Sequence, residues 1–336
     1  MIPSTKITNL SLTGFFDEYQ LTEDDIEWLL DMHDNGEVNE AIDILIRDNF
    51  LPAGFKYDNA IRTLLGDAES GILEIKDKNK NIRNVILLGI GLNTIWKSIF
   101  NKYATNVYSK YIFNITGLKN IDVKKTILSE TLGLFDRAIS GTLSATSTFV
   151  TNSIRSLQKE FIIENLKISN QKITGELLNQ EIIRFKSELE KKYPEIYRAL
   201  KNGNILASKK ESINGIRHYK IENYIDMSVR TTLLNLDRSS NLIMASVNNE
   251  PVVEYFLADP RNVKKDREIC QEILNNKVFG KSILAIDDKA SGILNIMTVD
   301  EAITTPDYAL GVNCRHSLRR CDNDYLLKIN KALGGN

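Results

Sequence analysis

Apolar positions recur at helical spacing along most of the chain. Thr22 precedes a stripe of Ile26, Leu29 and Leu30, and Asp25 follows it by three residues, the pattern of a capping box. Val38, Ala41, Ile42, Leu45 and Ile46 predict a second helix after Gly36. Leu51-Pro52-Ala53-Gly54 is expected to end it, and YDNAIRTLL to begin another. In SGILEIKDKNKN, Ile72, Glu74 and Lys76 alternate with Leu73 and Ile75, which predicts a strand followed by a polar turn. Residues 84–168 contain no proline and read as long amphipathic helices, the second half rich in Ser, Thr and Ala. Thr174 is expected to cap a further helix whose Leu178, Ile182, Phe185 and Leu189 share one face.

The pattern changes after Gly203. Gly215 to Tyr219 reads as a short strand or turn, and IENYIDMSVRTTLLNLDRSSNLIMAS as a long helix with Tyr224, Met227, Thr231, Leu234 and Arg238 spaced every three or four residues. Pro251 opens VVEYFLA, a β-rich run. KVFG and ILNIMTV are further β-prone pieces before a tail containing cysteine and histidine. The expected fold class is mainly α, a helical N-terminal region followed by a small α+β C-terminal domain. Three segments are expected: an acidic helical segment over 1–80, a long-helix region over 81–205, and the α+β domain over 206–336.

Charge changes the picture locally. Lysine plus arginine (43) nearly balances aspartate plus glutamate (44), so the chain as a whole has no concentrated basic face for duplex DNA. Residues 1–60, however, hold only Lys6, Arg47 and Lys56 against Asp17, Glu18, Glu23, Asp24, Asp25, Glu27 and Asp31. That segment is read either as a solvated helical surface or as a face for a basic protein partner. Three cysteines, all in the last third, make no secreted disulfide framework, and a reducing site of synthesis is expected. The N-terminal MIPSTKITNL has no signal-peptide pattern. The most apolar stretch, Val85 to Phe100, is shorter than a bilayer span and carries Asn93, Thr94 and Lys97, so a buried helix and no stable membrane span are expected. The Gly89–Gly91 pair lacks the further glycine of a dinucleotide loop, and no Walker-type lysine follows a glycine loop.

Three blocks in the C-terminal third carry a family resemblance. The first, residues 214–235, has Gly215, Arg217, Tyr219 and Tyr224 ahead of Met227, Arg230 and Thr231. The second has Asp259 and Arg261 in a turn, then Cys270, then Val278 and Phe279. The third is Asn313-Cys314-Arg315-His316. In order and separation these blocks resemble the Mu F-like minor head (minor capsid) proteins of tailed phages. The resemblance covers about residues 140–325. Where some relatives have Cys-x-x-Cys in the middle block, only Cys270 stands here. The resemblance implies a virion structural protein, made in the bacterial host cytoplasm and carried inside the head near the portal vertex. Its implied role is in head assembly and in DNA passage or ejection. The portal protein and other head proteins are the implied partners, with multiple copies around the portal and a possible contact with packaged DNA. No enzymatic activity is implied.

The residues leave other chemistry open. Cys270, Cys314, His316 and Cys321 have zinc-ligand chemistry, but the gaps of one and four residues in the tail fit structural zinc sites poorly, so no cofactor is expected. Cys314 or Cys270 activated by His316 or His218 is the enzymatic alternative, a metal-binding or DNA-processing enzyme, and no third orienting residue or oxyanion signature accompanies them. In the structural reading Cys314 is a small buried hydrophobe, and Arg315 and His316 hydrogen-bond to the Asp259–Arg261 turn. Arg230 either reaches a phosphate or an acidic portal surface, or braces the small domain against its helix; bracing is preferred.

Overall fold

The computed structural model describes residues 15–69, 78–171, 176–203, 205–210, 215–257, 268–304 and 316–334. The chain is mainly helical, with a helical N-terminal region and a small sheet region at the C-terminal end, as expected. Its described residues fall into two compact units. One draws on 1–21, 44–99 and 136–226, the other on 22–43, 100–135 and 227–336. Each therefore takes residues from all three of the segments read along the sequence.

The helical N-terminal region begins with α1 (Glu23–Asp34) and α2 (Val38–Leu45). The capping box forms: the Thr22 side chain accepts from the Asp25 N–H, and the Asp25 carboxylate accepts from the Thr22 N–H. The chain does not break at Leu51–Gly54. A π-helical turn over Ile46–Phe50 runs straight into α3 (Leu51–Glu69). Pro52 directly follows that turn, where an i→i−5 bond from the Leu51 N–H to the Ile46 carbonyl replaces the regular ladder that a proline would break. Gly54 serves packing instead of a turn, since a Cβ there would stand 2.6 Å from Ile221 and 3.0 Å from Trp96. The strand expected at residues 72–76 lies outside the described residues.

The first unit is built on α3, the N-terminal part of α4 (Lys78–Tyr103), the C-terminal part of α6 (Ile121–Gln171), α7 (Glu176–Lys192) and α8 (Pro194–Asn202). Trp96 is fully buried and donates its indole N–H to the Phe50 carbonyl at 3.0 Å. Glycines set the helix spacing, since a Cβ on Gly89 would meet Ser147 Oγ at 2.7 Å and one on Gly91 the Phe16 ring at 2.9 Å. α7 folds back on α6 through Phe161–Phe185, Lys192–Glu160 (2.7 Å) and Arg184–Glu164 (3.0 Å). Phe185 and Leu189 are buried as expected, but Ile182 is largely exposed, so the predicted stripe is narrower than drawn. Thr174 lies outside the described residues. β1 (Leu206–Lys210) and β2 (Gly215–Tyr219) form an antiparallel hairpin pairing Leu206 with Tyr219. Thr146 on α6 accepts the Ala207 N–H at 2.8 Å.

The second unit contains α1, most of α2, and the end of α4 with a π-helical turn (Ala104–Tyr108) leading into α5 (Ser109–Thr116). It also contains the start of α6, most of α9 (Ile221–Val247) and the C-terminal sheet. That sheet is antiparallel in the order β4-β5-β3-β6, with β3 (Val252–Leu257), β4 (Lys277–Val278), β5 (Lys281–Ala285) and β6 (His316–Arg320). Alternation of side chains gives the sheet two cores. Val253, Tyr255, Leu284 and Leu318 pack with Ile269, Cys270 and Ile273 of α10 (Glu268–Asn275). Val252, Ile283 and Ala285 pack with Cys321 and with Tyr325 and Ile329 of α13 (Asn323–Ala332). ILNIMTV is not a strand. Ile293 and Leu294 close α11 (Asp288–Leu294), Thr298 makes a lone bridge to Ala285, and Val299 starts α12 (Val299–Thr304). Asp287 caps α11 through the Ala290 N–H, and Thr298 and Glu301 form a second capping box, so local caps override β propensity.

Candidate functional site

The candidate site is built around α9, which carries the helical part of the first signature block and bonds to β6 in the third. β6 is an edge strand, paired to β3 in a register that sets Leu257 against His316 and Val253 against Arg320. α9 supplies side chains to it at three points. Arg238 donates to the His316 carbonyl, Asp237 accepts from the Ser317 hydroxyl, and Asn241 accepts the Arg320 N–H at a long 3.4 Å. Arg320 then pairs with Glu250, which is buried in the turn between α9 and β3. The His316 ring is buried and stacks on Tyr255 at 4.8 Å.

Arg230 is 5% exposed and pairs with Asp43 on α2, 187 residues earlier. That pair ties α9 to the N-terminal helix α2. Beside it is a cleft of about 200 Å³ between α2, α5, α9 and β3. Ile42, Tyr108, Ile112, Leu233 and Phe256 form apolar walls, and Arg230 and Asp237 supply its charged atoms. Burial pushes the Asp237 carboxyl up to about 6, against the lowering pull of Ser317, Arg238 and Asn241.

Sequence reasoning missed the group behind this cleft. His33 of α1 is buried, its Nε2 is 2.8 Å from the Tyr103 hydroxyl, and its ring stacks on Tyr111 at 5.1 Å and meets Tyr108 edge-on. Burial lowers its pKa to about 4, so the ring is neutral at physiological pH. Burial also raises the Tyr103 and Tyr108 hydroxyls well above their ordinary range. The π-helical turn over Ala104–Tyr108 lets Tyr103 and Tyr108, five residues apart, meet with their rings 6.1 Å apart. No spacing in the sequence announces such a turn.

The remaining signature residues divide between the units. Gly215 opens β2 in the first unit. Tyr224 lies there too, its hydroxyl donating to the Ala138 carbonyl at 2.7 Å and accepting from Thr142 at 2.6 Å. Met227 and Thr231 are half-buried on α9. Asp259, Arg261, Asn313, Cys314 and Arg315 lie outside the described residues. Cys270 and Cys321 are buried in the two separate cores, on opposite faces of the sheet, and burial raises the Cys321 thiol to about 12. Among the described residues no group of three or more His, Cys, Asp or Glu side chains is arranged to hold a metal ion. No described helix is long and apolar enough to cross a membrane, and the expected core face of α4 is buried at Val85, Leu88, Leu92 and Trp96.

No family model matches the chain, and neither do any curated proteins or solved structures.

Proposed function

We propose that this chain is a virion structural protein of a tailed phage, a minor head protein that works beside the portal in head assembly and in DNA passage or ejection. The reading starts from the three sequence blocks, which resemble the Mu F-like minor head proteins. The observation that carries it furthest is the way α9, β3 and β6 interlock through Arg238–His316, Asp237–Ser317 and the β3–β6 ladder. Residues some eighty positions apart, on α9 just past the first block and on β6 in the third, meet in one compact unit, and their polar atoms hold helix and strand together. Arg230 and Cys270 are buried, and burial raises the Cys321 thiol to about 12, which keeps it protonated at neutral pH and suits an architectural role. The mechanism is binding and rearrangement without bond-making.

The acidic α1 is the proposed portal-facing element. Glu23, Asp24, Glu27 and Asp31 are exposed around Trp28, itself 48% exposed, and an aromatic ringed by carboxylates suits a basic protein groove. The test is co-purification of the full chain with portal rings, and detection of the chain in intact particles by mass spectrometry and electron microscopy. Changing Glu23, Asp24, Glu27 and Asp31 to their amides should weaken portal capture and leave the fold intact. Equal capture by the variant would move the contact off α1, and absence of the chain from every phage particle would overturn the proposal.

A further inference from the structure

The turn between β4 and β5 holds an awkwardly placed side chain. Phe279 and Gly280 both have positive φ, +46° and +86°, the pattern of a two-residue hairpin turn in which Asn or Gly ordinarily comes first. A bulky aromatic is sterically out of place there. The residue is nonetheless 56% exposed, with its ring in edge contact with Tyr325 at 6.4 Å. Neither turn chemistry nor core packing accounts for phenylalanine at this position, and strain retained at an exposed tip points to use. Lys277 and Lys281 flank it.

The same unit holds a receptor of matching size and charge. The cleft beside Arg230, about 200 Å³, exceeds the roughly 150 Å³ that suffices to enclose a benzene ring. Tyr111, Ile112, Leu233 and Phe256 line it, and Ile115 at its margin is 57% exposed. Its α2 wall is Val38, Asn39 and Ile42, and the exposed acids Glu37, Glu40 and Asp43 neighbour these in sequence, with no lysine or arginine between residues 23 and 46.

We propose that Phe279 of one copy of this chain seats in the cleft of a second copy, with Lys277 facing the acids of α2. Ring and cleft are different surfaces, so the contact is head-to-tail and builds rings or open chains instead of closed two-fold pairs. The inference does not depend on the phage reading, because it rests on a turn, a cleft and their charges.

The full-length protein tests it by analytical ultracentrifugation across a concentration series, alongside thermal melts. Wild-type chain should associate reversibly. Phe279→Asn, which suits the turn better, should weaken association at least about tenfold without lowering the melting temperature. Ile115→Lys, at the exposed margin of the cleft, should do the same. Mixing the two variants should restore one good ring with one good cleft and yield dimers that grow no further. Lys277→Glu should weaken assembly, and adding Glu40→Lys should recover it. A wild-type chain monomeric at its highest soluble concentration, undiminished association of Phe279→Asn, or no dimer in the mixture would each overturn the proposal.

Discussion

Arg238 donates to the main-chain carbonyl of His316, so a buried guanidinium on α9 occupies the edge of β6 that no strand among the described residues covers. An uncovered edge is a template for pairing with another chain, and here Arg238, Asp237 and Asn241 supply bonds along it. Arg238→Met keeps most of the packing volume but leaves the carbonyl without this donor. It should cost about 2–3 kcal/mol in chemical denaturation. Faster aggregation on heating should accompany the loss, and a variant as stable and soluble as wild type would show that the edge is guarded otherwise.

Arg230 and Asp43 make an asymmetric pair, the arginine buried and the carboxylate 47% exposed. Removing the carboxylate takes one charged partner from a buried cation, whereas removing the arginine leaves an acid that water can solvate. Asp43→Ala should therefore destabilise by about 1–3 kcal/mol. Arg230→Met should cost less than Asp43→Ala, and the reverse order in denaturant melts would contradict this account.

Gly54 has no room for a methyl group. Gly54→Ala would gain helix propensity but press a Cβ against Ile221 and Trp96, both buried. Overpacking should win, lowering stability by about 1–3 kcal/mol with an altered tryptophan emission spectrum. Gly66 is the control, since its Cβ would meet nothing within 4 Å, and Gly66→Ala should be neutral or mildly stabilising.

Two groups of the second unit pull its stability in opposite directions with pH. His33 has its pKa lowered to about 4, so the unfolded chain binds its proton more readily. Its contribution is complete above the unfolded value of about 6.5 and is lost as pH falls toward 4. Asp237 is raised to about 6, so the folded chain binds the proton more readily. That contribution is complete below the unfolded value of about 3.9 and is lost as pH rises through 6. Asp237→Asn should match wild type near pH 4 and exceed it above pH 7, by up to about 2–3 kcal/mol. His33→Phe should flatten the acid limb instead. Parallel stability–pH curves for wild type and either variant would refute the assignment to that residue.

The longest elements were readable because their physical signals are local. Thr22 and Asp25 start α1, Ile221 to Val247 keeps helical spacing, and Pro251 sits just ahead of β3. Leu51–Gly54 misled because proline and glycine usually punctuate, whereas a preceding π-helical turn and a tight contact with Ile221 and Trp96 employ them inside a helix. β1 went unseen because Leu206–Lys210 is a strand by virtue of its pairing with β2, and α11 because a seven-residue helix rests on its Asp287 cap. At the candidate site, bracing by Arg230 was legible but its partner Asp43 was not, since nothing local links residues 187 apart. The His33–tyrosine cluster needed a π-helical turn that no periodicity encodes.

The two units are interleaved along the chain, each assembled from segments far apart in sequence. Clipping off residues 1–60 would strip Phe50 from Trp96 and Asp43 from Arg230 together. Terminal deletions, the habitual way to map a binding region, would thus report misfolding as lost recognition. In this architecture, only substitutions at exposed side chains can separate the two.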